Sequence, residues 1–107
     1  MAIPFEITVE ELKKMRDEKT PHRLIDVREP DEFRIANMGG ELMPMNTIPA
    51  RLQDLDPEED LIIHCKVGGR SAQVVEFLRR NGFEKARNLQ GGILAWSDRI
   101  DPTVPKY

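Results

Sequence analysis

The stretch from Asp60 to Gly82 constrains this chain more than any other. Leu61-Ile62-Ile63-His64 is a run of branched apolar residues bounded by Asp60, which reads as a buried strand. It passes directly into Cys65-Lys66-Val67-Gly68-Gly69-Arg70-Ser71, and an amphipathic helix follows. Ala72, Val74, Val75, Phe77 and Leu78 form the inward side of that helix. Glu76, Arg79 and Arg80 form its wet side, and Gly82 is placed as a C-terminal cap. A strand, a tight loop and a helix in immediate succession are the building block of a parallel sheet.

The rest of the chain repeats the alternation. Thr8 and Glu11 make a capping-box pair, and Val9, Leu12 and Met15 follow at helical spacing until Thr20-Pro21. Arg23 to Val27 reads as a second buried strand. Pro30 then opens a short helix, with Glu29, Asp31 and Glu32 at its positive end and Phe33 and Ile35 as its expected buried contacts. Glu41 to Met45 reads as a short strand or extended connection. Thr47 and Pro49 open a further helix facing inward through Ile48, Leu52 and Leu55 and ending near Pro57. Lys85 to Leu89 is a last strand, Gly91-Gly92 begins a final helix carrying Ile93, Leu94 and Trp96, and Asp101 to Tyr107 is expected to lie over the surface. This order predicts an α/β domain: a central, mainly parallel sheet of about five strands with helices on both faces. With 107 residues, no internal repeat and no linker, residues 1–107 read as one domain.

Composition narrows the function. Sixteen Lys or Arg against 19 Asp or Glu give a net charge of -3, which disfavours nucleic acid as a partner. No apolar run approaches a membrane span, and Met1 to Phe5 lacks the pattern of a secretory leader. A single cysteine excludes a disulfide scaffold and points to a reducing compartment, the cytoplasm. Two histidines and one cysteine offer no metal cluster, and no cofactor is expected.

The chemistry concentrates on Cys65, at the carboxyl end of its strand, where ligands gather in parallel sheets. The thiol faces the positive end of the next helix, with Lys66 and Arg70 as flanking cations, a setting that favours the thiolate. Gly68 and Gly69 let the backbone curl and aim successive N–H groups inward, forming an anion-binding nest. An isolated cysteine is more often a small buried hydrophobe. These neighbours favour a nucleophile instead.

The segment Cys65 to Ser71 resembles the active-site loop of rhodanese-like sulfurtransferases, Cys-x-x-Gly-x-Arg followed by Ser or Thr. Leu24-Ile25-Asp26-Val27-Arg28-Glu29 resembles that family's Asp-x-Arg strand signature. Asn88-Leu89-x-Gly91-Gly92-Ile93-x-Ala95-Trp96 resembles its closing Gly-Gly-x-x-x-Trp element. Within the family, three segments resemble the domain at the carboxyl end of adenylyltransferases that activate ubiquitin-like sulfur carriers. They are Asn37-Met38-Gly39-Gly40-Glu41, Ile48-Pro49-Ala50-Arg51-Leu52 and the ending Ile100-Asp101-Pro102-x-Val104-Pro105-x-Tyr107. The adenylyltransferase portion is missing here, which leaves either a free-standing relative or an excised fragment, and the free-standing form is the expectation. The resemblance implies transfer of sulfane sulfur from thiosulfate or a persulfide donor, through a Cys65 persulfide, to a thiophilic acceptor. The loop amides of Lys66 to Ser71 would stabilise the charged sulfur, Arg70 would hold the loop and the donor, and Lys66 would attract it. A sulfur-carrier protein or its adenylyltransferase is the implied partner.

Two other readings stay open at this point. A cysteine phosphatase or arsenate reductase also joins His-Cys to a downstream arginine, but its cradle encloses five residues where Cys65 and Arg70 enclose four. A non-catalytic binding module is the other. Asp26 and Arg28 border the site and read as an ion pair bracing the loop. His22 is expected at the surface and His64 on a sheet face. Met38, Met43 and Met45 read as core filling, and Trp96 as a packing anchor.

Overall fold

In the computed structural model, which describes residues 3–107, five strands form one sheet in the order β1-β5-β4-β2-β3, every neighbouring pair parallel. The strands are β1 (Glu6–Ile7), β2 (Arg23–Asp26), β3 (Glu41–Leu42), β4 (Leu61–His64) and β5 (Arg87–Leu89). Four α-helices connect them: α1 (Val9–Asp17), α2 (Pro30–Ile35), α3 (Gly69–Arg80) and α4 (Gly92–Arg99). The predicted α/β class and parallel sheet are therefore observed.

Period-two alternation along the central strands divides the core between the two faces of the sheet. Ile25 and Ile63 pack with Ile48, Val74, Val75 and Leu78, so α3 covers one face. Leu24 and Ile62 pack with Val9, Leu12, Ile93 and Trp96, so α1 and α4 cover the other. At α1, the Thr8 backbone N–H donates to Glu11 Oε1 (2.8 Å) and the Glu11 N–H to Thr8 Oγ1 (3.1 Å), which closes the expected capping box.

Four local features revise or add to the sequence reading. No residue of α2 is buried, and Ile35 is 56% exposed. With six residues, α2 is held by polar contacts: Arg28 Nη2 donates to Ala36 O (2.6 Å) and the Glu29 N–H to Glu32 Oε2 (3.0 Å). The helix expected after Thr47 is a 3-10 segment, Met45–Asp54, kinked at Arg51. Pro49 lies inside it and supplies no N–H to an α-helical ladder. A two-residue edge strand, β1, precedes α1, too short to leave an alternation in the sequence. The carboxyl-terminal segment, expected over the surface, is anchored there: Val104 is buried, and Ser97 Oγ donates to its carbonyl (2.5 Å). Among the described residues no helix is long and apolar enough to cross a membrane.

Candidate active site

Strand β4 delivers Cys65 to the carboxyl edge of the sheet, and α3 begins four residues later. Gly68 makes that turn possible. Its φ of +111° is accessible to glycine at little cost, and a side chain there would be strained. Gly69 is different: it is the first residue of α3, has no positive φ, and a Cβ there would meet nothing within 4 Å. The curl expected of both glycines rests on Gly68 alone.

Inside this turn the sulfur of Cys65 accepts from the Gly68 N–H (3.1 Å), the Ser71 N–H (3.4 Å) and Ser71 Oγ (3.3 Å). Burial pushes the thiol's pKa up. The hydroxyl and N–H of Ser71, with the N–H groups of Gly68 and Val67, outweigh that and bring it below the ordinary thiol value. The donors belong to the amino-terminal turn of α3, where the helix dipole also favours negative charge. Cys65 itself is only 1% exposed, so the loop is not the open surface feature its composition suggests. Val67, at 61% exposure, forms the exposed crest above it.

A second element supports the loop from beneath. Gly92 opens α4, and the N–H groups of Ile93 and Leu94 donate to the carbonyls of Cys65 (3.0 Å) and Lys66 (3.2 Å). The helix start that the Gly91-Gly92 pair marks in the sequence is thus what holds the Cys65–Lys66 peptide.

The charges are arranged differently from the sequence expectation. Arg70 does not stand free: its Nη1 and Nη2 donate to the two carboxylate oxygens of Glu32 (2.8 and 2.9 Å). That fork holds Glu32 well below the carboxylate range, at about 2, and raises Arg70. Tyr107 Oη adds a hydrogen bond to Glu32 Oε1 (2.8 Å) and accepts one from Arg28 Nη1 (2.7 Å). The Lys66 ammonium lies 4.4 Å from the centre of the Tyr107 ring. Asp26 and Arg28 do pair, with both side chains fully buried and Arg28 Nη2 2.7 Å from Asp26 Oδ2. Their remaining bonds go to α2 and Tyr107 rather than to the Cys65 loop. His64 is buried beside them, its Nε2 3.7 Å from Asp26 Oδ2 and without a hydrogen-bond partner. Burial lowers its pKa, so the ring stays neutral near pH 7.

The structure therefore brings Cys65, Lys66, Val67, Gly68, Gly69, Arg70 and Ser71 into one loop and sets Asp26 and Arg28 beside α2. Sequence reasoning missed three residues in contact with this loop. Glu32 was read only as a helix-terminus charge, Tyr107 as part of a surface tail, and Asn88 as a strand residue. Asn88 Oδ1 lies 2.5 Å from Ser71 Oγ, and its Nδ2 donates to Gly68 O (3.2 Å) and Glu6 Oε2 (2.9 Å). The signal for it was present, because Asn88 begins the Gly-Gly-x-x-x-Trp element.

Comparison with known proteins agrees with this geometry. The model of the rhodanese-like domain matches residues 8–99. A chloroplastic rhodanese-like/PpiC domain-containing protein 12 of Arabidopsis thaliana is 43% identical over 95% of this chain and 37% of its own length. A probable adenylyltransferase/sulfurtransferase, MoeZ, of Mycobacterium tuberculosis is 36% identical over 94% of this chain and 26% of its own. The chain thus spans little more than a third, or about a quarter, of these two relatives. A protein of Allochromatium vinosum named as a sulfurtransferase is matched nearly end to end, at 33% identity over 92% of this chain and 94% of that one. Among solved structures, a rhodanese-like domain protein from Staphylococcus aureus superposes with a TM-score of 0.81 at 36% identity, covering 100% of this chain and 99% of that one. A loop of inward N–H groups around one sulfur, on a five-stranded parallel sheet matched along nearly its whole length, places the chain in the rhodanese-like domain family.

Proposed function

We propose that this chain is a sulfurtransferase domain, residues 1–107, in which Cys65 carries sulfane sulfur. The observation that carries the reading is the set of three donors converging on one sulfur. In the first half-reaction the Cys65 thiolate attacks the outer sulfur of a donor such as thiosulfate. The new bond joins Sγ to that sulfur, the donor's S–S bond breaks, and its electron pair leaves with sulfite. In the second, an acceptor nucleophile attacks the outer sulfur and the Cys65 thiolate departs. Two displacements at sulfur replace one, as in covalent catalysis generally.

The loop amides and Ser71 would hold the negative charge of thiolate and persulfide alike, without reorganising between the two states. Among the described residues no carboxylate engages Lys66, the second cation of this loop, which lies over the Tyr107 ring, and we assign it the attraction of an anionic donor. Arg70, held by Glu32, keeps the loop in shape. With no second cysteine in the chain, the persulfide is discharged by an outside nucleophile, a thiol either free or carried on a partner protein. A phosphatase reading is disfavoured by the short loop and by an arginine already bound to a carboxylate.

Steady-state thiocyanate formation from thiosulfate and cyanide, run beside phosphate release from an aryl phosphate, tests the assignment. The native chain is expected to form thiocyanate and Cys65→Ser none. Phosphate release without thiocyanate would overturn the proposal.

A further inference from the structure

The hydroxyl that Ser71 offers Cys65 is shared with a residue that does not touch the sulfur. Parallel register sets Asn88 of β5 beside Glu6 of β1 on one side and Ile63 of β4 on the other, directly behind the loop. Its side chain is 3% exposed and fully engaged. Nδ2 donates to two groups that can only accept, the Gly68 carbonyl and the Glu6 carboxylate, so the amide orientation is fixed and Oδ1 must face Ser71. Asn88 thereby meets the loop at the Gly68 carbonyl, away from that residue's N–H donor, and at the Ser71 hydroxyl, which is itself a donor to the sulfur.

Ser71 has a single hydroxyl proton and two acceptors for it: Asn88 Oδ1 at 2.5 Å and Cys65 Sγ at 3.3 Å. With a protonated thiol, the S–H donates to Ser71 Oγ and the hydroxyl donates to Asn88. When the thiol proton is lost to solvent, the hydroxyl turns towards the sulfur and Asn88 gives up its bond. We propose that Asn88 is a positioning residue that governs how much of the Ser71 hydroxyl the Cys65 sulfur receives, and so opposes the thiolate in the resting domain. This rests on the reading of Cys65 as the nucleophile and adds to it the device that sets the sulfur's charge. The other charged or titratable groups around the sulfur are Lys66 and Arg70 of the loop and His64 of β4. Glu32 and Tyr107 lie behind Arg70, and Glu6 behind Asn88.

The test is titration of Cys65 by its ultraviolet thiolate absorbance, with Cys65→Ser as the blank, in native, Asn88→Ala, Ser71→Ala and doubly substituted chains. Ser71→Ala removes a donor to the anion and is expected to move the titration to higher pH. Asn88→Ala frees the hydroxyl and is expected to move it lower, raising the thiolate fraction at a pH below the midpoint about threefold. The double variant is expected to match Ser71→Ala, because Asn88 acts through Ser71. Glu6→Gln, at an exposed position, loosens the grip on Asn88. It is expected to give a smaller downward shift that vanishes in the Ser71→Ala background, and it decides the matter should Asn88→Ala fail to fold. An unchanged or raised titration in Asn88→Ala, or a Glu6→Gln effect that persists without Ser71, would overturn the proposal. Mass spectrometry of the native chain after thiosulfate treatment separates the two claims. Absence of an added sulfur removes the nucleophile reading, whereas an added sulfur with an unresponsive Asn88→Ala titration removes this one alone.

Discussion

Replacing Gly92 with alanine tests how the loop is held. Gly92 has a φ of +61°, and a Cβ there would lie 2.6 Å from the Cys65 carbonyl oxygen and closer still to that of Lys66. Both obstacles are backbone atoms of the loop itself, so no side chain can swing aside. The left-handed conformation costs an alanine about 1–2 kcal/mol. Relieving the clash separates α4 from the Cys65–Lys66 peptide. That weakens the bonds from the Ile93 and Leu94 N–H groups, each contributing roughly 0.5–1.5 kcal/mol. The combined loss is about 2–5 kcal/mol, a large part of the roughly 5–15 kcal/mol that stabilises a small domain. Urea denaturation should show the midpoint falling by about 1–2.5 M, for a slope near 2 kcal/mol/M. Gly69→Ala is the control. With no positive φ and no atom within 4 Å of its Cβ, it should leave the midpoint unchanged or raise it by up to ~1 kcal/mol in stability. A Gly92→Ala midpoint within about 0.3 M of native, or equal losses at both glycines, would refute the reasoning.

Other expectations follow from the same contacts. Arg28→Ala leaves the Asp26 carboxylate buried and unpaired and should cost about 3–5 kcal/mol by chemical denaturation, while Arg34→Ala on the exposed side of α2 should cost almost nothing. Acid should destabilise the domain in two windows. His64 has a lowered pKa in the fold, so the unfolded chain takes up its proton first and stability falls as pH drops below about 6.5; His64→Leu should abolish that part of a stability-against-pH curve. Glu32 is ionised down to about 2 in the fold, so its contribution is complete above the ordinary value of 4.5 and is lost between there and about 2; Glu32→Gln should remove that second window. Arg70→Ala should lower thiocyanate formation with a larger effect on kcat than on KM, since its guanidinium braces the loop through Glu32; an effect confined to KM would mean that it binds the donor directly.

The sheet and its main helices were legible because they obey periodicities that survive in one dimension. Leu61 to His64 is apolar on both faces as a central parallel strand must be, and the spacing of Val74, Val75 and Leu78 marks the covered side of α3. The loop around Cys65 was legible because Cys65, Gly68 and Arg70 are close in sequence. What lay hidden depends on partners far along the chain. Arg70 finds its carboxylate at Glu32, 38 residues earlier, and Tyr107 reaches that carboxylate across 75 residues. No local pattern announces that a cation offered to a ligand is already engaged. Ile35 was misread because a six-residue helix can be held by capping and ion pairs instead of an apolar face. Gly69 was overvalued for the opposite reason: two adjacent glycines look alike in a sequence, and only their backbone angles distinguish the one that turns the chain.

Sulfur transfer by this domain requires that Cys65 accept and release sulfur. Intact-mass measurement after incubation with thiosulfate, repeated after addition of cyanide, is expected to show one extra sulfur on the native chain, its loss on cyanide treatment, and no gain in Cys65→Ser. A native chain of unchanged mass, or a sulfur that Cys65→Ser takes up equally well, would contradict it.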